Sequence, residues 1–358
     1  MTVTLNIIQA GEITPCKIID NAVSIIWVQR YNEAGEFEIQ LQADKETFNL
    51  LVNNECYLTR DDSASVMICE DIKLTTDAEN GDIITITGRS AESILSRRIA
   101  NHLYEYSDVN AEALIRYLVT SSIGANTSEE RRIDLVTMGG SSGLSDTIDH
   151  IQILGDNILD KISELAKTYN YGFAVRYNRS IAKLVFGVYV GVDRTYNQNT
   201  VNAVIFSPEY NNLANSEYEN NRQNTANFAY VSGERISGTQ TIIPTPTDNP
   251  PTGLKRRETW IDASSKTQAS SVSTSAYERI LANFGQENLA TMKEVVTFMG
   301  EIGYSTQSRY GIDYTLGDKV IVQNGYGVNM AAYVTEVTEV QDAGGYAVHP
   351  TLSNWETT

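Results

Sequence analysis

Apolar and polar positions alternate through most of the chain up to Ser90, then change period. "SIIWVQRYNEAGEFEIQLQ" holds one apolar run, a turn at Asn32 to Gly35, and strict alternation through Phe37, Ile39 and Leu41. That is the signature of a hairpin with one buried face. "VMICEDIKLTTDAENGDIITITG" predicts a second hairpin with Asp77 to Asp82 as its turn. Short strands joined by tight turns favour a small barrel or sandwich. At Gly88-Arg89-Ser90 the pattern becomes helical: Ser90 suits an N-cap, Glu92 falls in the first turn, and Ile94, Leu95 and Arg98 follow at helical spacing. This joint reads as a hinge between modules, with glycine for the turn and Arg89 paired to a carboxylate across the seam.

A second helix is expected from about Asn110, with Ala111, Leu114, Ile115 and Leu118 on one face. The clearest helix is "DNILDKISELAKTY", where Ile158, Leu159, Ile162, Leu165, Ala166 and Tyr169 make one stripe. It runs into "YGFAVRYNRSIAKLVFGVYVG", two strands around a turn at Asn178 to Ser180. Residues 91–203 thus read as an α+β domain whose sheet is roofed by that helix. Strand character returns at "VIFSPEYNNLANSEYENNRQNTANFAYVSGE". It is broken by the proline-rich "SGTQTIIPTPTDNPPTGLKRRE", expected as a long irregular loop. A helix follows from about Thr274, with Tyr277, Ile280, Leu281 and Phe284 on one stripe, and the chain closes in strands.

Two stretches share a plan. "CEDIKLTTDAENGDIITIT" and "VTEVTEVQDAGGYAVHPTL" each hold apolar alternation, an Asp-Ala turn with glycine and a second strand, with the register differing by a residue. The first and last β regions therefore read as two copies of one barrel. The expected fold class is α+β and β-rich, with two tube-type β-barrel domains separated by an α+β insertion domain. The boundaries are 1–90 for the first barrel, 91–203 for the insertion, 204–240 and 304–358 for the second barrel, and 241–303 for a peripheral loop plus helix. A length of 358 residues is consistent with more than one core.

Composition narrows the function classes. A net charge of −18 argues against a nonspecific grip on nucleic acid; it suits a surface that DNA must pass without sticking, and it also keeps a protein soluble. "LKRRE" (Leu254 to Glu258) is too short a basic cluster to change that, and is expected to pair with acidic neighbours. Twenty Tyr against eight Phe suits strand-rich proteins and wet interfaces. Cys16, Cys56 and Cys69 form no CxxC, so neither a zinc ribbon nor a disulfide scaffold is indicated; Cys56 and Cys69 read as core residues. The opening residues do not read as a signal peptide, and no run of about 18 apolar residues predicts a membrane span. Folding in a reducing cytoplasm is expected.

Candidate chemistry is sparse. "GGSSG" formally matches a nucleophile elbow at Ser141, but "LSDTIDHIQILG" follows, crowding Asp146, Asp149 and His150 too close to fold back into a triad. His102, His150 and His349 lie in separate segments without ligand spacing. The acidic loops "DDSAS" (Asp61 to Ser65) and "SEE" (Ser128 to Glu130) lack the alternation of a calcium loop. No catalytic, cofactor-binding or metal residue is assigned.

The order of five segments resembles a family of siphophage tail-hub proteins, the tail-associated ("Tal"-type) hub related to the baseplate hub of contractile phages. They are Trp27, Arg30, Tyr31, Gly35, Glu36 and Phe37; Gly88-Arg89-Ser90 with Leu95, Arg97 and Arg98; Phe206, Ser207, Asn212, Leu213, Asn227, Val231 and Gly233; "RRETWIDASS" with Tyr277, Leu281, Gly285, Leu289 and Ala290; and "LGDKVIVQNGYGVNMAAYVTEVTEV". The resemblance implies a structural, non-enzymatic virion protein at the tail tip, assembled in the host bacterial cytoplasm. It implies a homotrimer in which three chains present six barrels to a six-fold tube. The implied partners are the distal tail protein ring, the tape-measure protein and receptor-binding or fibre proteins, with DNA passing through the lumen. Its roles are host attachment and genome ejection. Many relatives append a peptidoglycan-cutting domain; with the sequence stopping at Thr358, that activity is expected to be absent here. Two other classes stay open: a serine hydrolase or cell-wall-degrading enzyme using Ser141, and a carbohydrate-binding adhesin using its tyrosines.

Overall fold

A computed structural model describes residues 3–9, 15–76, 81–236, 238–269, 272–301, 308–323, 325–326 and 329–357. The first β region holds β1 (Leu5–Gln9), β2 (Lys17–Ile19), β3 (Ala22–Arg30), β4 (Glu36–Gln42), β5 (Cys56–Arg60), β6 (Val66–Thr75) and β7 (Ile83–Ser90). They lie side by side in the order β3-β4-β7-β6-β5-β1-β2, all antiparallel. The alternation seen in the sequence puts Phe37, Ile39 and Leu41 of β4 on the inner face with Trp27, Leu58, Ile84 and Ile86. Both expected hairpins form; residues 77–80 of the second turn lie outside the described residues.

One helix in this region, α1 (Lys45–Asn53), is missing from the sequence reading. "KETFNLLVN" is too short to show a period, and it buries only Thr47 and Leu51. Its signal is the cap: Asp44 accepts from the Thr47 amide at 2.8 Å.

The insertion begins with a 3₁₀ segment, Ala91–Arg97, followed by β8 (Tyr104–Asn110), α2 (Ala111–Ser122), β9 (Val136–Met138), β10 (Thr147–Ile153), α3 (Ile158–Tyr169), β11 (Gly172–Asn178) and β12 (Lys183–Tyr189). β10 pairs with β8, and β11-β12-β9 form a second small sheet. α3 occupies the span its stripe predicted. Asn157 caps its start, and Asn170, at φ 53°, ends it in the left-handed region. Its apolar face packs with that of α2 into one core containing Leu114, Ile115, Ile162 and Leu165.

The last third holds β13 (Ile205–Phe206), β14 (Ala214–Asn221), β15 (Phe228–Ile236), β16 (Thr239–Thr245), β17 (Glu258–Asp262), α4 (Thr274–Thr291), β18 (Val295–Glu301), β19 (Lys319–Gln323), β20 (Asn329–Asp342) and β21 (Gly345–Thr357). Hydrogen bonding sorts two of these strands differently from their position in the sequence. β15, expected in the second barrel, pairs with β16 and β17 and packs on α4 around Val231, Ile261, Tyr277 and Leu281. β18, expected in the peripheral segment, pairs with β14 and β21. The proline-rich stretch is also less irregular than expected, since its first part is β16. Pro244 is tolerated there because β16 is an edge strand, paired with β15 alone among the described residues.

The two β regions share one plan. β1, β3, β4, β5, β6 and β7 correspond in chain order to β13, β14, β18, β19, β20 and β21. In space the first set runs β3-β4-β7-β6-β5-β1 and the second β14-β18-β21-β20-β19-β13. Each neighbouring pair is antiparallel except β13 with β19, which is parallel where β1 with β5 is not. The two hairpins matched in the sequence, β6-β7 and β20-β21, occupy equivalent places. One bulge coincides as well, at Cys69/Asp71 and at Val334/Glu336, while β20 has a second at Ala331/Tyr333. Pairing of β20 with β3 fuses the two halves into one curled 13-stranded sheet. Each half keeps its own core. The β-rich α+β fold with two like β modules is thus the one observed. Among the described residues, no helix is long and apolar enough to cross a membrane.

The α1 cap yields a pH prediction. The hydrogen bond from the Thr47 side chain leads the groups that hold Asp44 at about 2, below its ordinary 3.8. A carboxylate with a lowered pKa adds stability above its unfolded value, and that stability is lost as pH falls through the folded one. Asp44→Ala is expected to cost about 1 kcal/mol near pH 7. In urea titrations that difference should shrink steadily as pH falls from about 4 towards 2.

Candidate functional site

β3 ends where three parts of the molecule meet, and its last residues carry the joint. The Tyr31 amide donates to the Thr335 carbonyl of β20 at 2.9 Å, and its carbonyl accepts from the Phe173 amide of β11 at 3.1 Å. Its hydroxyl donates to the Asn170 carbonyl at 3.0 Å. One residue is thereby bonded to the second β module and to the insertion. Burial pushes the Tyr31 phenol up to about 12, so it stays a neutral donor at ordinary pH. Two glycines make room for the ring. A Cβ on Gly172 or on Gly317 would stand 2.2 Å from Tyr31 Cε2, and Gly317 also sits at φ +86°.

Beside Tyr31 lies a charged joint. Arg60 ends β5 and is 2% exposed. It makes two bonds to Asp62, at 2.9 and 2.7 Å, and one to Glu339 of β20 at 2.8 Å. Its guanidinium stands 5.5 Å from the Trp27 ring centroid. Glu339 also accepts from Gln29 at 3.3 Å and from the Tyr346 hydroxyl. Burial alone would lower the Arg60 pKa; the hydrogen bond to Asp62 and the charge of Glu339 outweigh it and hold it above its ordinary value. Further along, Arg30 bonds to Glu336 and to Glu36, each at 2.6 Å.

Gln29, Arg30, Arg60, Asp62, Glu339 and Tyr346 border a cavity of about 860 Å³ between the two β modules and the insertion. Arg176, Tyr189, Glu92 and Tyr310 also line it. Glu92 accepts from the Val175 amide at 2.7 Å, and burial raises its pKa. The buried Arg60 Nη1 has no hydrogen-bond partner among the described residues. The polar groups here are matched mainly to one another across module boundaries. Such an arrangement fixes the relative orientation of the modules.

The sequence-predicted positions fall as follows. Gly88-Arg89-Ser90 does mark the exit from the first module, with Gly88 packed so that a Cβ would meet the Ile68 carbonyl oxygen at 1.9 Å. Two details differ. Arg89 pairs with Glu70 of neighbouring β6, inside the module rather than across the seam. The Ser90 hydroxyl makes no cap bond; it accepts from the Gly35 amide at 2.7 Å and so ties β7 to the β3-β4 turn.

Ser141 donates to Glu112 at 2.9 Å, and Glu112 also accepts from the Ser142 and Leu144 amides. The Ser141 loop is therefore organised by a buried carboxylate. His150 bonds to Ser107 at 2.5 Å, His102 stacks on Tyr104, and His349 lies in β21 opposite Thr338. No described hydrogen bond joins Ser141 to a histidine. Arg256 of "LKRRE" pairs with Glu258 at 2.6 Å. Cys56 is a core residue, and burial pushes its thiol up to about 11. Among the described residues, no group of three or more His, Cys, Asp or Glu could hold a metal ion. The tyrosine surplus divides: Tyr31, Tyr104, Tyr171, Tyr277 and Tyr314 are fully buried, whereas Tyr196, Tyr210 and Tyr326 are exposed. Sequence reasoning passed over Arg60, Asp62 and Glu339, although "DDSAS" was noted. The Arg60–Glu339 bond spans 279 positions, so no local pattern marks it.

Two like β modules fused through β3 and β20, with an α+β insertion between them, make a fold shared with several phage tail proteins. The structure is similar to a tail protein from Neisseria meningitidis MC58, with a TM-score of 0.59, 12% identity, and coverage of 99% of this chain and 97% of that one. It is also similar to the 43 kDa tail protein of prophage MuSo2 from Shewanella oneidensis, with a TM-score of 0.55, 12% identity, and coverage of 98% and 97%. A third similar structure is prophage tail protein gp18 from Listeria monocytogenes EGD-e, with a TM-score of 0.50, 11% identity, and coverage of 99% and 94%. The chain belongs to the Siphovirus ReqiPepy6 Gp37-like protein family, which it matches over residues 8–352. No curated protein sequence matches it.

Two substitutions test the joint. Gly317→Ala places a methyl against the Tyr31 ring at a left-handed backbone position, and is expected to destabilise by about 1–3 kcal/mol in thermal unfolding. Glu339→Ala leaves Arg60 buried with one carboxylate fewer, and is expected to cost about 3–5 kcal/mol. Replacing the pair together by Arg60→Met and Glu339→Leu should cost much less than the single change.

Proposed function

We propose that this protein is a structural component of a siphophage tail, the hub at the tail tip. The observation that carries this reading is the shared connectivity of the two β modules. A chain holding two like modules can place six of them around an axis with three copies, and so match a tube of six-fold symmetry. We assign residues 1–90 to the first module, β13, β14 and β18 to β21 to the second, and residues 91–203 to the α+β insertion between them. In this reading the homotrimer sits between the tail tube and the distal components. It contacts a distal tail protein ring, the tape-measure protein and the receptor-binding or fibre proteins. It is assembled in the host cytoplasm and acts in host attachment and genome ejection.

The physical chemistry is consistent with a passive conduit. A net charge of −18 repels the phosphate backbone rather than binding it. The buried polar groups at the joint hold modules together, and the Ser141 hydroxyl is engaged by Glu112. The reading therefore assigns no catalytic step to the chain.

Light scattering on the purified chain at micromolar concentration is expected to report three copies, and negative-stain images a ring with three-fold symmetry. A stable monomer over the same range would overturn the hub assignment.

A further inference from the structure

The joint between β3 and β20 has a counterpart elsewhere in the fold, built from the equivalent strands. β20 changes partner along its length. From Asn329 to Tyr333 it pairs with β19; after the Val334/Glu336 bulge, Glu336 to Gln341 pair with β3. β6 starts in the same way. Val66 to Ile68 pair with β5, and the Cys69/Asp71 bulge follows. Beyond it, Asp71 to Thr75 are bonded to β7 alone among the described residues. The strand equivalent to β3 is β14, which ends the sheet and pairs only with β18 among the described residues. From Asp71 to Thr75 and from Glu217 to Asn221 both segments are solvent-exposed, apart from the half-buried Ile72. Open strand edges of this kind are templates for another strand.

We infer that β14 of one copy pairs antiparallel with the second half of β6 in another copy of this chain, repeating between chains the joint that β3 and β20 make within one. The internal joint also sets the register. The coincident bulges equate Asp71 with Glu336. Trp27 faces Phe37, which faces Gly88 opposite Cys69. In the same way Tyr218 faces Phe298, which faces Leu352 opposite Val334. Trp27 is thereby equated with Tyr218. Carrying over the pairing of Arg30 with Glu336 through that of Ile26 with Val340 gives Asn221 opposite Asp71, Asn220 opposite Ile72, Glu219 opposite Lys73, Tyr218 opposite Leu74, and Glu217 opposite Thr75.

Two features that played no part in setting this register agree with it. Lys73 comes to face Glu219, a cross-strand pair of opposite charge. Leu74 and Tyr218, each 42% exposed, come to face one another. The contact joins unlike surfaces head to tail, so it closes as a ring where the rotation permits. It rests on the hub reading for the number of copies, but the pairing itself does not depend on that number.

The test uses the whole chain with Lys73→Cys and Glu219→Cys in a Cys16→Ser background. Directly opposed residues lie about 4.5–5.5 Å apart between Cα atoms, within disulfide reach. Mild oxidation is expected to give covalently linked oligomers on a non-reducing gel. Lys73→Cys with Tyr218→Cys, one residue out of register, should give none. An oligomer by light scattering that fails to cross-link would overturn this pairing and leave the trimer standing; a monomer that fails to cross-link would overturn both. Equal cross-linking of the two variants would overturn the register. Charge reversal supplies a second reading without cysteines. Lys73→Glu should raise the concentration at which half the chains are assembled by about threefold. Adding Glu219→Lys should restore it, and a double variant no better than the single would also overturn the register.

Discussion

The structure depends on the pairing of β3 with β20. Without it the molecule would be two β modules tethered through an insertion; with it they become one sheet. Strand pairing alone fixes direction and register, but not the angle at which a third unit leans on the seam. Tyr31 supplies that constraint. It is bonded to Thr335 and Asn170 and is covered by Gly172 and Gly317, whose missing side chains let the backbones close on the ring. The Arg60–Glu339 bond beside it penalises slippage, because sliding the strands would strand a buried charge.

Internal duplication explains features that look arbitrary one module at a time. The bulges in β6 and β20 are equivalent points where each strand leaves one neighbour of its own module, β5 or β19, and keeps the other, β7 or β21. The first module keeps a short turn between β3 and β4. The second carries β15 to β17 and α4 in the equivalent connection, between β14 and β18. Added mass at that point sits at a loop, where insertions leave the sheet core undisturbed.

Polar clusters noted in the sequence make bonds that organise the fold. Glu112 organises the Ser141 loop, Asp62 of "DDSAS" holds Arg60, and Ser90 locks the β3-β4 turn. In each case a short polar side chain satisfies backbone or charge that the fold has buried.

Local pattern alone determined the elements whose neighbours lie close in sequence. α3 was legible because its stripe lies within a few turns; the Asn157 cap and the left-handed Asn170 that bound it are seen in the structure. The β3-β4 hairpin and the likeness of the β6-β7 and β20-β21 hairpins were legible for the same reason. α1 was not, since nine residues with two buried side chains carry too little period. Only the tertiary structure decided that β18 rather than β15 completes the second module, that Arg89 stays within its own sheet, and that Arg60 meets Glu339. Those outcomes rest on contacts between distant segments, where alternation says which face is buried but not which strand it will lie beside.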